Sequence, residues 1–183
     1  RRVEGVGKNG RYPLPLTRPN QTIICGWLQP VSAHCVLGEV IVSGAPLPEG
    51  VSNYDDKIAL LGVAIADKTL QPGGQLHLTL QWQGLAPMAD NYTLFLQVLD
   101  AQDRIVGQVD AWPLQGTLPT SGWTPGQTLT DPHTIQLAGD MPPGDYRLLI
   151  GWYHLADLRR LPLLNADGAP VDDKLVVPGL VVQ

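Results

Sequence analysis

The chain has 183 residues and a formal net charge of −5, with 44% hydrophobic and only 16% charged residues. That length and apolar content suit one ordinary domain with a sizeable core and exclude disorder of the whole chain. The acids are dispersed and no basic run occurs, which excludes a nucleic-acid footprint and a polybasic lipid patch; no apolar stretch reaches the roughly 20 residues of a membrane span.

The 20 Gly and 17 Pro, set beside so few charges, favour short strands linked by turns over long helices. The expected class is all-β: an antiparallel β-sandwich, jelly-roll-like, of about nine or ten strands at regular spacing. No signal peptide is visible and the first residue is Arg1. The sequence therefore reads as a processed, truncated or excised part of something longer.

In chain order, residues 1–20 show no periodicity and read as an extended lead-in. Thr22–Leu28 and Cys35–Ser43 are rich in Ile and Val and give two strands of a hairpin. Cys25 and Cys35 on facing strands suit a disulfide, which would imply an oxidising, extracytoplasmic location. The alternative is a pair of buried free thiols. Ser43–Asp56, rich in Pro, Gly and Asn, is the boundary between an N-terminal extension with its hairpin (1–50) and a β-sandwich domain (51–183).

The sandwich part alternates clearly. In Gln75–Gln83 the residues Leu76, Leu78, Leu80 and Trp82 share one face, and polar side chains fill the other without a miss. Tyr92–Leu99 follows, with Leu94, Leu96 and Val98 in one row. Phe95 and Leu99 lie opposite, so this strand is expected to be central and covered on both sides. A short polar turn, Asp100–Asp103, leads to Arg104–Trp112. After a long irregular stretch come His133–Leu137 and Tyr146–His154, the latter with Tyr146, Leu148, Ile150 and Trp152 inward. Asn165–Pro170 is a hairpin turn, and Lys174–Gln183 is the last strand or strand pair. Leu155–Leu161 alone hints at a helical period and is stopped by Pro162.

None of the four serines (Ser32, Ser43, Ser52, Ser121) sits in a nucleophile elbow, and the four histidines are scattered. His77 falls on a polar face, and His154 is expected to make a capping or core hydrogen bond. Glu occurs only at positions 4, 39 and 49, while Asp is frequent in turns, where it bonds its own backbone. No cofactor is expected, although Asp55–Asp56 and Asp172–Asp173 are conceivable Ca²⁺ ligands. Asp110 and Asp131 differ in lying within or beside strands. Each either pins the loop between Trp112 and Asp131 by accepting its N–H groups or contacts a ligand. Trp82 and Trp152 belong to core rows. Trp112 and Trp123 flank the long loop: each either folds back to pin it or serves as a candidate sugar-stacking ring, with Asp110 and Asp131 as hydroxyl partners. Asn91–Thr93 matches an N-glycosylation sequon.

The order of motifs from Ile58 to Gln183 resembles a known family. "LLGVAIADKTLQPGGQLHLTLQWQ", "YTLFLQVLD", "RIVGQVDAWPLQGTLPTSGW", "TPGQTLTDPHTIQL" and "PPGDYRLLIGWY" follow one another, with Q-x-D, P-T-x-x-W and P-G-x-x-x-x-D in that order. This is similar to the C-terminal β-sandwich region that follows the membrane helices of bacterial (Chloroflexi-like) glycosyltransferases of the dolichyl-phosphate-mannose type. The resemblance implies a non-catalytic extracytoplasmic accessory or interaction domain of a larger membrane-bound protein. Its partner would be a glycan or the membrane portion of the parent chain, not nucleic acid and not the bilayer directly. The alternatives are a carbohydrate-binding module and a glycoside hydrolase built on Asp residues.

Overall fold

The computed structural model describes residues 50–183 and two short strands near the N-terminus, β1 (Pro15–Arg18) and β2 (Gln21–Ile24). The chain divides into two compact units, Arg1–Glu39 and Val40–Gln183. In the first, β1 and β2 pair antiparallel from Pro15↔Ile24 to Arg18↔Gln21. The stretch read as a strandless lead-in therefore contains β1. The expected strand Cys35–Ser43, and both Cys25 and Cys35, lie outside the described residues.

The second unit contains ten strands: β3 (Ser52–Tyr54), β4 (Ile58–Ile65), β5 (Gln75–Gly84), β6 (Tyr92–Leu99), β7 (Ile105–Ala111), β8 (Thr128–Gln136), β9 (Gly144–His154), β10 (Leu163–Leu164), β11 (Pro170–Asp172) and β12 (Leu175–Val182). They form a six-stranded sheet, ordered β11-β10-β3-β4-β5-β8, and a four-stranded sheet, ordered β12-β9-β6-β7. The two antiparallel sheets pack face to face as a β-sandwich, and the chain crosses between them five times. Among the described residues there is no α-helix, only a 3₁₀ turn at Thr120–Gly122. Leu155–Leu161, whose spacing hinted at a helix, is a turn followed by irregular chain.

The alternating rows do what their spacing demands. Leu76, Leu78, Leu80 and Trp82 of β5 are buried against Leu94, Leu96 and Val98 of β6 and Tyr146, Leu148, Ile150 and Trp152 of β9. At the centre the Trp82 and Trp152 rings meet edge to face, 4.9 Å between centroids. The Tyr54 hydroxyl crosses the sandwich to donate to the Ile150 carbonyl at 2.8 Å. Burial holds that phenol protonated far above its ordinary range. β6 is covered on both sides as expected, because Phe95 and Leu99 pack with Leu149 on the outer face.

β3, β4 and β8 escape the pattern. β3 lies inside the segment read as a connection, and β4 is an unbroken apolar run, IALLGVAI, with a bulge between Leu60 and Gly62. β8 begins at Thr128, five residues before the expected His133, and buries every second residue: Leu129, Asp131, His133 and Ile135. Two of those four inward positions are polar, which hides the period. Pro132 is tolerated because β8 is the edge of its sheet. Along this side the sandwich closes, with Ala138 N–H donating to Val106 C=O at 2.7 Å. There Gly107 leaves no room for a side chain: a Cβ would stand 2.8 Å from the Gln136 carbonyl oxygen.

Candidate functional site

At one end of the four-stranded sheet, β7 runs out at Ala111 and the chain enters the loop that leads to β8. Register places the surrounding side chains. Leu94 and Leu96 point inward, so Thr93 and Phe95 point outward, together with their cross-strand partners Tyr153 and Asp110. Trp112 continues the outward row. Thr93, Asp110, Trp112 and Tyr153 line an open hollow of about 300 Å³, with Gln115 from the loop and Leu155 just past β9.

The hollow has mixed chemistry. Trp112 and Tyr153 are half-buried, Asp110 and Gln115 are exposed, and Thr93 is buried at the base. Burial raises the Tyr153 phenol above its ordinary value. The Asp110 charge and a hydrogen bond to Asp110 act in the same direction, against a hydrogen bond from Thr93. The Asp110 charge thus adds to burial in favouring the protonated phenol of Tyr153.

The wall formed by the loop has an unusual backbone. Leu114, Gln115 and Gly116 all have positive φ, at 52°, 57° and 87°. Only the glycine takes this region freely; each of the others costs about 1–2 kcal/mol. The turn persists because its polar groups are engaged. Gly116 N–H donates to Trp112 C=O at 2.8 Å, and the Thr117 hydroxyl to Leu114 C=O at 2.7 Å. The third anchor comes from the other sheet: Leu114 N–H donates to Asp131 Oδ1 at 2.8 Å. The second oxygen of Asp131 takes Trp82 Nε1–H at 3.3 Å and His133 Nε2 at 2.7 Å. A carboxylate only accepts, so Nε2 of His133 carries the hydrogen. Charge-assisted bonds of this kind contribute about 1.5–3 kcal/mol each, enough to offset the turn's strain.

The sequence-derived candidates separate accordingly. Asp110 and Trp112 come together in the hollow. Asp131 does not join them: it is fully buried and pins the loop. Asp110 in turn is not a backbone anchor but faces outward beside Tyr153. Of its two expected roles Trp123 takes loop-pinning and not sugar stacking. It is 3% exposed, packs edge to face on Trp152 at 6.0 Å, and points its indole N–H at Leu118 C=O, 3.4 Å away. Its faces are committed to the core, so no sugar ring can stack on it. Thr120 completes this support: its buried hydroxyl accepts Tyr92 N–H at 2.9 Å and donates to Asp90 C=O at 3.0 Å.

From the sequence, Tyr153 and Gln115 have no expected site role, and Thr93 is marked only as the end of the Asn91–Thr93 sequon. Tyr153 and Thr93 are one step out of phase with their strands' inward rows, which marks them as outward. Their meeting with Asp110 depends on which strands pair. In both acidic pairs read as conceivable Ca²⁺ ligands the carboxylates are engaged within the chain, Asp56 by the Asn53 amide at 2.7 Å and the others by side-chain cations. Lys57 lies on Asp55, Lys174 on Asp172 and Asp173 at 2.7 and 2.9 Å, and Arg160 on Asp173 at 3.1 Å. His77 is exposed, 3.0 Å from the Thr134 hydroxyl, and His154 lies 3.0 Å from Asp157 in the turn after β9. Among the described residues no helix is long and apolar enough to cross a membrane.

No family model matches the sequence, and no curated protein does. Among solved structures, the chain is similar to Spo0M, a sporulation control protein from Bacillus subtilis. The identity is 13% and the TM-score 0.42, over 73% of this chain and 50% of that one. It is also similar to a Niemann-Pick type C2 protein from the Japanese carpenter ant, with 12% identity and a TM-score of 0.39, over 68% of this chain and 91% of that one. The match thus spans half the length of Spo0M. At these values neither likeness bears on what the chain does.

Proposed function

We propose that this chain is a non-catalytic accessory domain of a larger, membrane-bound, glycosyltransferase-like protein, and that it works by binding on the extracytoplasmic side. One observation carries the non-catalytic reading. The two carboxylates on this part of the fold are divided, with Asp110 facing the hollow and Asp131 sealed in the core with both oxygens occupied. The usual hydrolysis of a glycosidic bond employs two carboxyl groups flanking one substrate. Asp131 cannot supply the second.

The motifs behind the family resemblance add support, because each has a place at this end of the fold. Q-x-D supplies Asp110, P-T-x-x-W supplies Thr120 and Trp123, and P-G-x-x-x-x-D supplies Asp131. They are the hollow's acid, the pins of its loop and the anchor of its wall. The decisive test is the gene on either side of this segment. Several membrane-spanning segments directly upstream support the proposal, and a parent without any overturns it.

A further inference from the structure

We infer that the hollow between Trp112, Tyr153 and the left-handed turn binds a neutral saccharide unit, an assignment that rests on the reading of the domain as a binding module. The chemistry of the lining selects the ligand class. Trp112 and Tyr153 offer apolar ring surface for the C–H face of a sugar. Around them stand a carboxylate that accepts (Asp110), an amide that donates and accepts (Gln115) and a hydroxyl that does both (Thr93). A sugar hydroxyl also donates and accepts, so it can use all three. A quaternary ammonium or lysine side chain could use the rings and Asp110 but would leave the amide and hydroxyl donors unmatched. The lining carries one negative charge and no cation, so an anionic sugar is repelled. The volume of about 300 Å³ lies at the small end of ligand sites, suiting one or two sugar rings rather than a long chain.

The geometry is also set before any ligand arrives. Gln115 stands on a turn whose positive φ angles are maintained by buried Asp131, so its backbone is positioned by the core and not by the ligand. Non-glycine residues held in this way concentrate at binding sites. Each side of the hollow has an independent support: β7 for Asp110, β9 for Tyr153, and the Asp131 anchor for Gln115.

The test uses the full chain against a panel of neutral di- to tetrasaccharides of mannose, glucose, galactose and N-acetylglucosamine, with uronate-containing glycans, choline and a lysine peptide as contrasts. A neutral saccharide is expected to bind, with little dependence on salt. Trp112→Ala and Asp110→Ala should each weaken that binding at least tenfold. Gln115→Gly keeps the turn, since glycine accepts φ of 57°, and removes the amide. It should weaken binding severalfold while leaving the thermal midpoint unchanged or higher. Silence across the neutral panel, binding untouched by all three substitutions, or salt-sensitive binding of choline or the lysine peptide instead would overturn the assignment. Each of those results leaves the accessory-domain proposal to be decided by the parent gene, so the two fail separately.

Discussion

Asp131 on the edge strand of one sheet accepts the backbone N–H of Leu114 at 2.8 Å, in a loop that leaves the opposite sheet. This bond ties a strained turn to the core, and through it the wall of the hollow to the Trp82–Trp152 centre. The relationship makes stability and site geometry depend on one carboxylate.

Asp131→Asn keeps one acceptor but turns a donor group toward Trp82 Nε1–H and His133. The expected cost is about 2–4 kcal/mol in urea unfolding. Amide exchange at Leu114 and Gly116 should quicken by more than the global loss accounts for. Equal stability of the variant and the wild type would show that the network carries no net energy.

The two tryptophans beside the loop should separate cleanly. Trp123 is committed to the core, so Trp123→Ala is expected to cost about 3–5 kcal/mol. Trp112 is half-buried at the hollow, and Trp112→Ala should cost about 1 kcal/mol or less. Denaturant midpoints of the two variants decide the matter, and the reverse order would move the hollow's aromatic wall elsewhere.

Gly107 sits where the edges of the two sheets close on each other. Adding a methyl there meets Gln136 O at 2.8 Å and Ile135 Cγ2 at 2.9 Å, one of them backbone and unable to swing away. Gly107→Ala should therefore lower stability by about 1–3 kcal/mol. A neutral result in thermal unfolding would mean that the sheets have slack along this side.

Asp100 closes the β6–β7 turn. Its partial burial opposes ionisation, but the Arg104 N–H and guanidinium, at 2.9 and 3.0 Å, and the Gln102 N–H outweigh that. The carboxyl is held below its ordinary value of 3.8. A depressed carboxylate contributes stability above its unfolded value and loses it as pH falls through the folded one. Asp100→Asn should thus be less stable than the wild type at pH 7, with the gap narrowing as pH drops below about 4. A gap that stays constant from pH 7 to pH 2 would assign the effect to something other than this charge.

Alternation alone was enough to identify β5, β6 and β9 with their inward rows, because a period of two in a half-buried strand is a local property. It failed for β8, where the inward row reads Leu129, Asp131, His133, Ile135 and Pro132 interrupts it. A polar residue in a core slot is legible only once its partners are known, and Trp82 and Leu114 lie 49 and 17 positions away from Asp131. The same distance in sequence explains the exchange of roles between the candidates. Trp112 and Trp123 look alike beside a loop, as do Asp110 and Asp131 beside strands. Which of each pair meets solvent depends on the pairing of β6 with β7 and β9 and on the return of the loop to the core.

Composition and periodicity by themselves determined an all-β chain with few charges, the rows that become its core and the turns between them. These depend only on burial and on neighbours along the strand. Tertiary structure alone decided that Asp110, Trp112, Tyr153 and Gln115 share a hollow while Asp131 and Trp123 hold it up from within. Strand register and loop closure join residues far apart in the chain, and no local pattern records that pairing.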